Sequence, residues 1–86
     1  MINLYVLQGE KGKRYVGITN NLERRLSEHR SGRTKGGQII GEFKLLLTEK
    51  FDNYKEARKR EIFLKSGAGR EWLDQEYPRT GSASGG

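Results

Sequence analysis

Five side chains in this sequence combine a type and a position that could do chemistry: Tyr5, Tyr15, Arg25, His29 and Glu61. Tyr5 and Tyr15 lie on two β-prone runs joined by a short polar stretch, so pairing of the runs would bring the phenols close; tyrosines are also ordinary half-buried strand residues. Arg25 falls on the same helical face as Leu22 and Leu26, where a guanidinium must either reach out to water or meet an anion. His29 joins that face one turn later, where a lone histidine is by default structural. Glu61 interrupts an apolar stripe of Tyr54, Ala57 and Leu64, and a carboxylate facing inward needs a partner. That partner is an ion pair with Arg25, Arg58 or Lys65, or a divalent cation. Mg²⁺ keeps several of its waters and often takes only one or two carboxylates plus phosphate oxygens, so one glutamate is enough. Taken together, hydroxyls, a bidentate cation, a carboxylate for a metal and a basic surround are what phosphodiester cleavage requires.

The elements that must position them follow from the pattern. Residues 3–8 and 14–18 are rich in β-formers and flank Gly9-Glu10-Lys11-Gly12-Lys13, which reads as a β-hairpin. Gly17, inside the second run, marks a bulge, a bend or a close backbone approach. Asn20 with Glu23 three residues on reads as a capping box, and Gly32 as the stop of that helix. Leu22, Arg25, Leu26 and His29 fall at i, i+3, i+4 and i+7, one face of it. Residues 31–41 read mostly as a mobile basic loop. Phe43 to Thr48 makes a third strand. Asp52 or Asn53 caps a second helix running to about Lys65, in which Ile62 and Phe63 fall off the main stripe and suggest a second buried side. A Ser66-Gly67-Ala68-Gly69 break separates it from a short helix from Arg70 to about Tyr77, anchored by Trp72 and Leu73 and ended by Pro78. The order β-β-α-β-α-α predicts an α+β domain: a small three-stranded, mainly antiparallel sheet flanked by helices. Residues 1–77 are expected to form one domain, and 78–86 a disordered tail.

Composition narrows the partners. The chain has 86 residues and a net charge of +6, with no cysteine and one histidine. It therefore holds one small domain, with no disulfide framework, thiolate metal site or multi-histidine zinc site. No apolar run is long enough to span a membrane, and the N-terminus lacks the basic start of a secretory signal, so a cytoplasmic location is expected. Residues 1–50 carry 10 basic and 5 acidic side chains, residues 51–86 carry 7 and 6. The surplus is thus N-terminal, and Lys11, Lys13, Arg14, Arg33 and Lys35 are candidate phosphate contacts.

In this order the residues resemble the GIY-YIG nucleases, and in particular their small single-domain bacterial type. Leu4-Tyr5-Val6 stands for the first motif, where only the tyrosine is kept, and Tyr15-Val16-Gly17 for the second. The run Ile18 to Leu26, then His29, the helix Glu56 to Lys65, and the segment Lys65 to Leu73 follow the family's order, so that residues 3–73 are covered. No asparagine follows Glu61 to match the family's later active-site asparagine. The resemblance implies that Tyr5 and Tyr15 stand near the attacking water, Arg25 is the catalytic arginine and His29 an auxiliary site residue. It also implies that Glu61 binds a single Mg²⁺ or Mn²⁺ and that Gly17 lets the backbone approach the site. Of the two tyrosines, Tyr5 is favoured as the general base, with Tyr15 as its polar partner. The function implied is metal-dependent endonuclease cleavage of DNA, branched, damaged or single-stranded, related to DNA structure or repair and with little sequence preference. A non-catalytic nucleic-acid-binding module on the same scaffold is the alternative. A weak dimer or a protein partner would be the source of any further specificity.

Overall fold

The computed structural model describes residues 1–9, 12–32 and 42–78. Lys11, Arg33, Lys35, most of the expected basic loop and the expected tail from residue 79 lie outside the described residues. The elements are β1 (Ile2–Gly9), β2 (Arg14–Thr19), α1 (Leu22–Arg30), β3 (Phe43–Phe51), α2 (Tyr54–Lys65) and α3 (Gly67–Glu76). This is the α+β order read from the sequence. Among the described residues no helix is long and apolar enough to cross a membrane.

The sheet runs β2-β1-β3, with β1 antiparallel to both neighbours. Gly9 N–H donates to the Lys13 carbonyl at 2.7 Å and Gly12 N–H to the Gly9 carbonyl at 3.0 Å, which closes the hairpin. Because side chains alternate along a strand, the central strand serves two layers. Leu4 and Val6 face one side and pack with Val16, Leu64 and Leu73, so α2 and α3 cover that side. Tyr5 and Leu7 face the other, against Tyr15, Leu22, Leu26 and Phe43, so α1 covers that one. Each fully buried large side chain stabilises the fold by about 1.5–3 kcal/mol. The pairing of β1 with β3 slips between Val6 and Leu7, where Leu46 is the extra residue. That bulge explains the leucine run: Leu46 and Leu47 pack against the same core although they are consecutive, while Leu45 is 41% exposed.

The helix boundaries refine the expectations. The N-cap of α1 is Asn21 rather than Asn20: its side chain accepts from Arg24 N–H at 3.1 Å, and the Thr19 hydroxyl takes Asn21 N–H at 3.1 Å. Asn53 caps α2 by accepting from Glu56 N–H at 3.0 Å. Ile62 and Phe63 make no second buried side, since they are 60% and 36% exposed. Ser66 alone joins α2 to α3, closing the first helix and capping the second. The sequence reading took Gly69 as part of a break, but it lies inside α3 where the two helices touch: a Cβ there would stand 2.5 Å from Leu64 Cα. Two arginines tie the layers. Arg60 forks onto Glu49 of β3 at 3.0 and 3.2 Å, with its guanidinium over Trp72 and Phe63. Arg14 reaches from β2 to Gln8, to the Asp74 carboxylate and to the Tyr77 carbonyl at the end of α3.

Candidate active site

The register of the hairpin builds the base of the site. Tyr5 lies directly opposite Gly17, and Leu7 opposite Tyr15. Tyr5 and Tyr15 therefore share one face on adjacent strands, and their rings stack with centroids 6.1 Å apart. The space above Gly17 is filled by Tyr5: a Cβ on Gly17 would stand 2.5 Å from the Tyr5 hydroxyl and 3.1 Å from Tyr15 Cε1. Of the bulge, bend or close backbone approach that Gly17 suggested, it is a close approach, and what approaches it is the first tyrosine.

Helix α1 supplies the roof. Its i, i+3, i+4, i+7 face meets the sheet as expected, with Leu22 and Leu26 packing and Arg25 and His29 over the tyrosines. The Tyr5 hydroxyl lies 3.1 Å from His29 Nε2, and Arg25 Nε donates to that hydroxyl at 3.4 Å. The His29 ring meets Tyr15 edge-on at 4.8 Å and Phe43 at 6.1 Å between centroids. Arg25 Nη1 donates to Glu28 Oε1 at 3.1 Å, so the guanidinium is held at two corners while its side chain stays 34% exposed.

This packing sets the protonation of the cluster. Burial raises the Tyr5 pKa above its ordinary 10.0, and the hydrogen bond from Arg25 offsets only part of that. The hydrogen bond to Tyr5 pushes Arg25 up, so it stays a cation. His29 is lowered from 6.5, first by burial and then by the charge of Arg25, so it is neutral at pH 7. A tyrosine that is 1% exposed, with its pKa raised, is a poor general base. Burial therefore weighs against Tyr5 in that role: the inward face that brings Tyr5 to Arg25 and His29 also removes it from water. Tyr15, on the edge strand, keeps partial exposure.

Tyr5, Tyr15, Gly17, Arg25 and His29 thus come together, while Glu61 stands on α2, in the layer across the sheet. Its side chain is 13% exposed; Oε2 accepts from Lys65 Nζ at 3.0 Å and Oε1 lies 3.7 Å from Arg58 Nε. Of the three cations its position allowed, Arg58 and Lys65 are the partners, and Arg25 pairs with Glu28 instead. Among the described residues no group of three or more His, Asp or Glu is placed to hold an ion, so a metal here rests on this one carboxylate. A single, mostly buried carboxylate suits a hard cation that keeps its waters. Of the expected basic contacts, Lys13 is exposed. Arg14 is not a rim cation: its side chain is 6% exposed and its guanidinium is engaged within the fold.

Sequence reasoning missed Glu28 and Phe43. Glu28 was legible as the i+3 partner of Arg25. Phe43 reaches His29 only through tertiary packing, and no local pattern announces it.

The model of the GIY-YIG catalytic domain matches residues 1–72. A UPF0213 protein of Clostridium perfringens is 38% identical over 63 residues, covering 72% of this chain and 68% of that protein. Another, from Oceanobacillus iheyensis, is 38% identical over 65 residues, covering 72% and 73%. An archaeal one, from Halobacterium salinarum, is 35% identical over 69 residues, covering 76% and 86%. The solution NMR structure of a UPF0213 protein from Bacillus halodurans superposes with a TM-score of 0.55 at 31% identity, covering 90% of this chain and 86% of that one.

Proposed function

Since the chain belongs to the GIY-YIG family, a nuclease domain family, we propose that it is a divalent-metal-dependent endonuclease that hydrolyses phosphodiester bonds in DNA. The observation that carries this reading is the Tyr5 phenol held between Arg25 Nε and His29 Nε2, with Tyr15 stacked beside it. Such an arrangement fixes a partly exposed cation beside a buried, neutral imidazole.

Arg25 is the group that meets the phosphoryl oxygens. It is a permanent cation with a planar fork, fixed by Tyr5 and Glu28, and partly open to solvent. Charge that develops on those oxygens would be met by a donor already in place. Tyr15, the more accessible hydroxyl, orients the attacking water. Tyr5 is the anchor: its hydroxyl accepts from Arg25 and, in the neutral His29 tautomer protonated at Nδ1, donates to Nε2. In that tautomer His29 is the acceptor at the inner end of a hydrogen-bond chain that starts at Arg25. Apart from this cluster, on α2, Glu61 would hold one Mg²⁺ or Mn²⁺, whose chemistry when bound is Lewis-acid stabilisation of phosphoryl and leaving oxygens. Lys13 would add sequence-independent phosphate contact. With so small a surface, selection by DNA structure is favoured over selection by sequence.

The test is a cleavage panel of single-stranded, duplex, flap and four-way DNA in Mg²⁺ or Mn²⁺. Cleavage is expected, with a loss of about a hundredfold or more in Arg25→Ala and in Glu61→Ala. Salt-sensitive binding without turnover would establish the non-catalytic module instead. Turnover that survives both substitutions would remove these residues from the chemistry.

A further inference from the structure

Glu61 does not wait as an open carboxylate. Lys65 Nζ sits 3.0 Å from Oε2 and Arg58 Nε 3.7 Å from Oε1, so both oxygens already face a cation. The two partners are 55% and 70% exposed while Glu61 is 13% exposed. The carboxylate is therefore fixed, and its counter-ions are long, solvated side chains that can swing away. We propose that Lys65, assisted by Arg58, is an exchangeable internal counter-ion of Glu61: it holds the position a divalent cation would take, keeps metal affinity low in the free protein, and yields when a nucleic-acid phosphate draws it off. The proposal rests on the assignment of Glu61 as the metal carboxylate.

The spacing is what makes the device local. Lys65 and Arg58 lie at i+4 and i−3 from Glu61 on α2, so one helical turn on each side delivers a cation to the carboxylate. Entry of a doubly charged ion must displace or repel both. A unit charge about 5 Å from such an ion lowers its affinity about tenfold even at the dielectric of water. A phosphate that binds the lysine removes this repulsion, and by linkage the metal favours phosphate binding to the same degree.

The experiment is a Mn²⁺ titration followed by electron paramagnetic resonance. It compares the DNA-free chain with Lys65→Met, Arg58→Met, Lys65→Arg and Glu61→Gln, with folding checked by circular dichroism. Lys65→Met should bind Mn²⁺ about tenfold more tightly than the unmodified chain, Arg58→Met less so, and Lys65→Arg no more tightly. A nuclease-resistant phosphorothioate oligonucleotide should tighten Mn²⁺ binding in the unmodified chain and have a smaller effect in Lys65→Met. If Glu61→Gln abolishes binding while Lys65→Met leaves it within about twofold, the counter-ion proposal is overturned and the metal assignment stands. If Glu61→Gln binds as well as the unmodified chain, or no variant binds, the metal assignment falls and the proposal with it.

Discussion

Replacing Gly17 by alanine probes fold and site at one atom. The added Cβ would stand 2.5 Å from the Tyr5 hydroxyl and 2.6 Å from Tyr5 Cζ, against roughly 3.5–4 Å for atoms in comfortable contact. The ring cannot step aside, because Tyr5 is 1% exposed on the central strand and its hydroxyl is bonded to His29. Overpacking of this kind costs about 1–3 kcal/mol, and a displaced hydroxyl loses hydrogen bonds worth about 0.5–1.5 kcal/mol each. Alanine's gain over glycine in a strand returns only about 0.5–1 kcal/mol. The net loss is about 2 kcal/mol, a fall in Tm of about 8–16 °C for a domain of this size. Urea denaturation followed by circular dichroism on the parent chain, Gly17→Ala, Tyr5→Leu and the double variant separates the terms. The clash is with the Tyr5 ring, so the alanine should cost at least about 1 kcal/mol less once that ring is gone. Strictly additive costs, or a parental midpoint for Gly17→Ala, would refute this account of the glycine.

Arg14→Gln should destabilise the fold by about 1–3 kcal/mol in urea melts, since Asp74 and the Tyr77 carbonyl lose the guanidinium that donates to both; its effect on DNA affinity should be smaller than that of Lys13→Gln. The two glycines that open α3 should respond with opposite signs. Gly69→Ala meets Leu64 Cα at 2.5 Å and should cost about 1–3 kcal/mol, whereas Gly67→Ala meets nothing within 4 Å and should gain up to about 1 kcal/mol from helix propensity. His29 gives the fold a pH dependence. Its folded pKa lies below the unfolded 6.5, so the unfolded chain binds a proton that the folded chain refuses. Stability is full above 6.5 and falls as pH drops through that value towards the lowered one, and His29→Gln should flatten the slope of urea midpoints against pH.

The pairing of elements was legible because each has a local cause. The strand runs, the Asn53 cap and the helical face of Leu22, Arg25, Leu26 and His29 all follow from propensity and period, and tertiary packing agrees with them. The misreadings share another cause. Gly69 looks like a breaker because glycine usually is one, and only the crossing of α2 and α3 shows that it is small for contact. Ile62 and Phe63 look like core because they are apolar, yet the sheet accepts only the Ala57 and Leu64 side of α2. Arg14 looks like a rim cation because charge is usually solvated, and its three acceptors come from two distant parts of the chain, β1 and the end of α3. At the site, spacing placed the two tyrosines on paired strands and Arg25 with His29 on one helical face, and the resemblance to the family joined them into one cluster. The burial of Tyr5 could not be read from spacing.

One strand carries both the core and the chemistry, and this governs which variants can be informative. Leu4 and Val6 of β1 are fully buried towards α2 and α3, and Tyr5 between them is buried the other way. A chain of this length has few core residues to spare, and the antiparallel register makes Tyr5, Gly17 and Tyr15 part of one packed surface. Loss of activity in Tyr5→Phe or His29→Ala would therefore mix a chemical effect with a structural one. Arg25 and Glu61 differ. Arg25 is 34% exposed and reaches Tyr5 through a long hydrogen bond, and the partners of Glu61 are solvated cations on its own helix. Conservative changes at these two, Arg25→Lys and Glu61→Gln, should leave the urea midpoint within about 0.5 kcal/mol of the parent chain while removing the fork and the carboxylate charge. The case for chemistry at this site depends on them, because only there does the fold leave function separable from stability.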